Sequence, residues 1–148
     1  MKGVFAMLVR NCAGGVVFYE DKVFLLQNDK GEWILPKGII RSGDLSTEVA
    51  LKRVNEEAGI EAQIISTAGN TSYEFYSFTR QKPVCNKITW YLMSSHGIKY
   101  KVNHRENFQD GGFFDIDDAL SRITYSQDKS LVHLSFRKYK ELTLAAAV

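Results

Sequence analysis

Two apolar runs of strand length open the chain. Residues 12–19 (CAGGVVFY) and 22–27 (KVFLLQ) are separated by Glu20-Asp21, which predicts two strands around a turn. Trp33-Ile34-Leu35 is a shorter apolar run, stopped by Pro36, and Lys37 to Asp44 then reads as a loop whose two glycines permit backbone angles that other residues avoid. From residue 46 the period changes. Leu51, Val54 and Ala58 recur at three and four residues with Ala50 beside them, which predicts a helix over 46–58. Ser46 or Asp44 is placed to cap its start, and Gly59 follows its end. Residues 61–80, rich in β-branched and aromatic side chains, read as strand, turn and strand.

Residues 87–94 (KITWYLMS) predict a buried strand and 112–116 (GFFDI) another. A short helix begins over Asp117–Leu120, and a last helix covers 127–140 with Leu131, Leu134 and Tyr139 as inward candidates. Residues from Thr143 to Val148 read as a fraying tail. Strands with one helix in the middle and one at the end give an α/β/α sandwich, a mixed sheet between helices.

Composition narrows the class. A chain of 148 residues with no repeat, linker or low-complexity tract reads as one domain with a true core. The net charge of +2 is too small to argue for nucleic acid or a membrane surface. The opening MKGVFAMLVRNCAGG lacks the long apolar core of a secretory signal, and no run approaches the ~20 apolar residues that a membrane helix needs. Cys12 and Cys85 lie far apart in sequence and form no CxxC pair. They read as buried thiols, and the expected location is a reducing cytoplasm.

The chemistry concentrates in residues 37–60, KGIIRSGDLSTEVALKRVNEEAGI. Residues 53, 56 and 57 share one helix face, so Arg53 lies beside both Glu56 and Glu57, and Lys52 is four residues from both Glu48 and Glu56. Taken alone, such charges make a solvated, salt-bridged face. The spacing around them is more specific. In G-x5-E-x7-R-E-U-x-E-E-x-G-U, with U a bulky aliphatic, Gly38, Val54, Glu56, Glu57, Gly59 and Ile60 match outright. Asp44 stands for the first glutamate, Lys52 for the arginine and Arg53 for the glutamate after it. The chain therefore resembles the Nudix family, and its flanks agree: Ala13-Gly14-Gly15-Val16-Val17, Trp33 to Gly38, and Gly111-Gly112-Phe113-Phe114 followed by Asp118-Ala119-Leu120. Over about residues 12–135 it is similar to the bacterial members akin to diadenosine tetraphosphate hydrolases.

The resemblance implies hydrolysis of a nucleoside diphosphate linked to another moiety, with Mg2+ or Mn2+ as cofactor and a small-molecule nucleotide as partner. A homodimer is common in the family. It implies metal ligation by Glu56, Glu57 and the Gly38 carbonyl, and phosphate contacts from Lys37 and Lys87. Base stacking would come from Tyr73, Phe75, Tyr76 and Tyr125, although aromatics on strands are more often core. Lys52 takes the place of an arginine that orients the glutamates but lacks its planar fork. Arg53 is the main departure. Many members carry a glutamate here as metal ligand or general base, whereas arginine neither ligates a cation nor gives up its proton. Repulsion between its charge and a metal about 4–6 Å away predicts weaker binding, and loss of the base predicts hydrolysis slower by about 10²–10⁴-fold. Arg53 touching phosphate directly would keep binding at the expense of chemistry. A replacement base is sought at Glu106, Asp110, His96 or His104, with Glu106 preferred, while His133 is structural. The second expectation is a catalytically inactive, nucleotide-binding or regulatory domain on the same fold.

Overall fold

The computed structural model describes residues 6–146. In chain order the elements are β1 (Leu8–Tyr19), β2 (Lys22–Gln27), β3 (Trp33–Ile34), β4 (Lys37–Ile39), α1 (Ser46–Ala58), β5 (Ala62–Ser77), β6 (Lys82–Ser95), β7 (Asp110–Asp115), α2 (Ile116–Arg122) and α3 (Ser126–Ala146). The strands join in one mixed sheet of order β3-β2-β1-β6-β5, with β4 added to β1 and β7 to β2. β1 is its axis. It runs parallel to β6 from Leu8–Val84 to Phe18–Ser94, and antiparallel to β4 and β2.

Both faces of β1 are covered, which is why its sequence is a continuous apolar run rather than an alternation. Val16 and Phe18 point to the side where Trp90, Leu92, Ala119, Ile123, Leu131 and Val132 pack, the side of α2 and α3. Ala13 and Val17 point to the other, where α1 contributes Ala50, Val54 and Ala58. Gly15 sets the depth of that contact: a Cβ there would lie 2.7 Å from Met93 Sδ and 3.0 Å from Val54 Cγ2. The α/β/α sandwich is the observed architecture, and among the described residues no helix is long and apolar enough to cross a membrane. Cys12 and Cys85 are buried free thiols.

Several local expectations are corrected. β1 begins at Leu8 rather than Cys12, because its first residues are partly exposed, with Val9 47% accessible, and lack the apolar signature. Residues 61–80 are not strand, turn and strand. β5 runs unbroken to Ser77, with irregular register at Ile64/Ser66 and Thr67/Gly69, and the reversal comes later at Phe78–Gln81. The residues after Pro36 start as β4 before they loop. Neither Ser46 nor Asp44 caps α1. Leu45 holds the N-cap position with no side-chain bond, Asp44 accepts from the Arg41 N–H to close the preceding turn, and the Ser46 hydroxyl hydrogen-bonds that of Tyr91. The other end is as expected: Gly59 adopts φ 65°, a left-handed helix stop that glycine adopts without strain.

On α3 the buried stripe is Leu131, Val132 and Ser135, with Tyr139 stacked on Phe18 at 4.7 Å. Leu134 is 60% exposed and does not face inward, since it lies off that stripe. His133 is exposed beside it. The tail is helical through Ala146, with the Thr143 hydroxyl donating to the Tyr139 carbonyl. The last two residues of the fraying expectation lie outside the described ones.

Candidate functional site

β4 lays Gly38 against Ala13 of β1, and α1 carries Arg53 directly over it. A Cβ on Gly38 would sit 2.5 Å from both Cγ and Cδ of Arg53, so the glycine is what lets the arginine lie flat on the strand. The guanidinium then reaches three carboxylates. Its Nε and Nη2 donate to Glu57 Oε2 at 2.9 and 2.7 Å, and Nη1 donates to Glu56 Oε2 at 2.9 Å. Nη2 also lies 2.9 Å from both oxygens of Glu106. Lys52 approaches Glu56 at 3.8 Å rather than Glu48.

Glu106 arrives from a loop fastened to the end of α1. The Lys101 and Asn103 N–H groups donate to the carbonyls of Ala58 and Glu57, and Asn103 Nδ2 donates to that of Glu56. Three helix-end carbonyls are thereby satisfied. Asn103 also accepts from the Arg105 N–H and so opens the short 3₁₀ turn His104–Glu106. Of the four replacement-base candidates, only Glu106 joins the glutamates. His104 bonds the Phe108 carbonyl, Asp110 accepts from the Gly111 N–H at the start of β7, and His96 is exposed in the bend after β6.

Glu57 is 3% exposed. Burial pushes its carboxyl up from the usual 4.5 to about 7, against the pull of Arg53 and Lys37. For Arg53, burial opposes the charge, but the hydrogen bonds to Glu106 and Glu57 outweigh it and the guanidinium is raised overall. Among the described residues no three His, Cys, Asp or Glu side chains are arranged to hold a metal ion. The three carboxylates that do converge have a guanidinium at their centre. The donors as placed therefore do not fit Mg2+ or Mn2+.

Beside this cluster lies a cleft of about 500 Å3. Lys37 connects the two: it lines the cleft, its charge opposes the upward push of burial on Glu57, and on the other side it adds to the hydrogen bonds from Tyr125 and Asn28 that lower Glu32. Tyr73, Phe75 and Tyr125 line the walls, over a floor that includes Trp90. Tyr73 and Phe75 stack at 5.9 Å. Asn86 fixes Tyr73 by donating to its hydroxyl, and Arg10 both donates to Asn86 and lies 5.7 Å over the Phe75 ring. The hydroxyl of Tyr125 donates to Glu32, which pushes its ionisation up to about 12. Two expected contacts fall outside the cleft. Tyr76 packs edge-on against Phe78 at the hairpin tip, and Lys87 opens onto a neighbouring hollow with Asn11 and Asn70. Alternation along β5 separates Tyr76 from Tyr73 and Phe75.

Arg10, Asn86, Glu32, Gln127 and Asp128 were not expected at the site. Only Glu32 had a local signal: Asn28 accepts from the Lys30 and Glu32 N–H groups in an Asx turn that precedes it.

A mixed sheet between helices, with a glycine strand running into an acidic helix end, defines the Nudix class of fold. The NUDIX domain model matches residues 4–134. An RNA pyrophosphohydrolase of Ruthia magnifica is 30% identical over 126 residues, covering 72% of this chain and 70% of that protein. The E. coli dihydroneopterin triphosphate pyrophosphohydrolase superposes with a TM-score of 0.69 at 15% identity, over 84% of this chain and 94% of that one. A C. elegans Ap4A hydrolase in a binary complex gives 0.64 at 19% identity, over 92% and 98%. The chain belongs to the NUDIX family of pyrophosphohydrolases.

Proposed function

We propose that this protein is a Nudix-type pyrophosphohydrolase of low turnover, acting on a nucleoside diphosphate linked to another moiety. The observation that carries it is the shared position of Lys37, between an aromatic-walled cleft and the acidic end of α1. A flat heterocycle stacks between Tyr73 and Tyr125, worth about 1–3 kcal/mol per base, while its phosphates extend toward Lys37 and Arg53. Dihydroneopterin triphosphate and Ap4A, in the names of two similar proteins, both join a heterocycle to a phosphoanhydride chain. Low turnover follows from Arg53: its guanidinium pairs with Glu56, Glu57 and Glu106 and puts a positive charge where these carboxylates would otherwise converge on a cation. The same observation favours a second reading, a domain that binds the nucleotide without cleaving it.

Wild type and Arg53→Glu are incubated with dinucleoside polyphosphates, nucleoside triphosphates and nucleotide sugars, with Mg2+ or Mn2+, and phosphate release is followed. Slow wild-type turnover that rises in Arg53→Glu supports the low-turnover enzyme. No turnover in either, together with measurable nucleotide binding, supports the binding domain. Wild-type turnover that falls in Arg53→Glu would show that the arginine aids the reaction and would overturn the role assigned to it.

A further inference from the structure

β5 ends the sheet. Among the described residues it is hydrogen-bonded to β6 on one side and to no strand on the other. A long free edge invites pairing with another chain unless something blunts it. The first part of β5 is blunted. Its register is irregular at Ile64/Ser66 and Thr67/Gly69, and Lys138 Nζ donates to the Thr67 carbonyl. The Gln127 side chain accepts from the Ser72 N–H and donates to the Ser72 carbonyl, at 3.3 and 2.9 Å. Gln127 and Lys138 both belong to α3, so that helix covers the edge as far as Ser72.

From Tyr73 to Ser77 none of these devices is present among the described residues. The pairing with β6 is regular from Ser72–Lys87 to Ser77–Lys82. Main-chain groups alternate in direction along such a ladder, and those of Ser72 point outward, so those of Glu74 and Tyr76 do too. The side chains are not those of a protected edge. Phe75 is 40% exposed, Tyr76 51%, and Phe78, just past the strand, 85%. Glu74 is the only charge on the open segment.

We propose that this edge pairs antiparallel with the same edge of a second copy, about a two-fold axis at Phe75. The open segment is its own complement. Phe75 is its midpoint, so Glu74 of each copy meets Tyr76 of the other, and the outward N–H and C=O of both residues are satisfied. Phe75 then faces Phe75 across the axis, an aromatic cross-strand pair. Charge fixes the register. An axis at Glu74 sets two carboxylates directly opposite, which is unfavourable. An axis at Tyr76 sets Glu74 against Phe78, which lies beyond the strand. With the axis at Phe75, the turn after each β5 runs alongside the other copy's Ser72–Gln127 contact. It carries Arg80 toward the start of α3, where Asp128 has no ion pair among the described residues. Covering Phe75, Tyr76 and Phe78 removes roughly 250–450 Å2 per copy. With the main chain added, that is the size of a small, reversible interface.

Sedimentation velocity of the wild type tests the association, with half-dimerisation expected at about 1–100 μM, the range of a small interface. Phe75→Lys and Phe75→Glu each put like charges on the axis and remove the aromatic pair. Each is expected to self-associate about 10-fold or more weakly than wild type. An equimolar mixture of the two puts Lys opposite Glu and is expected to form a one-to-one dimer tighter than either variant alone. Wild type that stays monomeric at about 200 μM overturns the proposal, and that result needs no variant to fold. Phe75→Lys that dimerises as tightly as wild type also overturns it, since the interface then lies elsewhere. A mixture no tighter than its components overturns the axis at Phe75.

Discussion

Replacing Arg53 by methionine keeps the unbranched stem over Gly38 and removes the guanidinium, so it isolates what that charge does for Glu57. The buried Glu57 carboxyl is raised from 4.5 to about 7 even with Arg53 beside it. The folded state therefore binds this proton more tightly than the unfolded chain. The contribution of Glu57 to stability is greatest below about pH 4.5 and falls as pH rises toward 7, by about 3 kcal/mol in all. Without Arg53, which pulls the carboxyl down, the fall continues to higher pH, and each further unit adds about 1.4 kcal/mol. The partly exposed pairs to Glu56 and Glu106 add about 0.2–1 kcal/mol each.

Arg53→Met is thus expected to be about 1–3 kcal/mol less stable than wild type at pH 8, and about 1 kcal/mol closer to it at pH 5, where Glu57 is neutral in both and only the exposed pairs are lost. Urea unfolding followed by the fluorescence of Trp33 and Trp90 measures both gaps. Adding Glu57→Gln to Arg53→Met removes the buried acid and should recover most of the loss at pH 8. A gap of equal size at pH 5 and pH 8, or an Arg53→Met protein as stable as wild type at pH 8, would refute the account of the buried carboxylate.

Gly38→Ala forces a methyl into the Arg53 stem and should destabilise by about 1–3 kcal/mol, with Arg53→Ala restoring part of it; additive losses in the urea midpoints would argue against the close approach. Glu32→Ala removes the acceptor that raises Tyr125, so one more tyrosine should ionise by pH 11 in the absorbance at 295 nm, and an unchanged titration counts against the pair. On α3, Leu131→Ala should cost about 2–5 kcal/mol, while Leu134→Lys changes stability by less than about 0.5 kcal/mol. Similar thermal shifts for the two would place the buried stripe elsewhere.

Features that depend on local period were legible in the sequence. Val54 and Ala58 face the sheet as their spacing requires, Gly59 stops the helix, and Arg53 reaches Glu56 and Glu57 because residues three and four apart share a helix face. Features that depend on what packs across the chain were not. β5 carries enough polar residues to suggest a break after its first half, yet pairing with β6 carries it through two irregularities unbroken. Tyr76 and Tyr73 look alike as candidates, but the pleat sends them to different surroundings. Asp128 is a single acid in an ordinary context, and only tertiary placement brings it to the cleft. Glu106 was a candidate because of its loop, but its bond to Arg53 spans 53 residues and has no local signature.

The parallel pairing of β1 with β6 bears on how the molecule is made. Every bond in that ladder joins residues about 76 apart. As the chain leaves the ribosome, β1 and the hairpin to β2 emerge early, but the strand that completes the middle of the sheet comes only after α1 and β5. Until then β1 presents an unsatisfied edge, open to chance association with other nascent chains. Closing so long a loop before any reward is gained slows assembly, so folding should be late, cooperative and dependent on synthesis having passed Ser95.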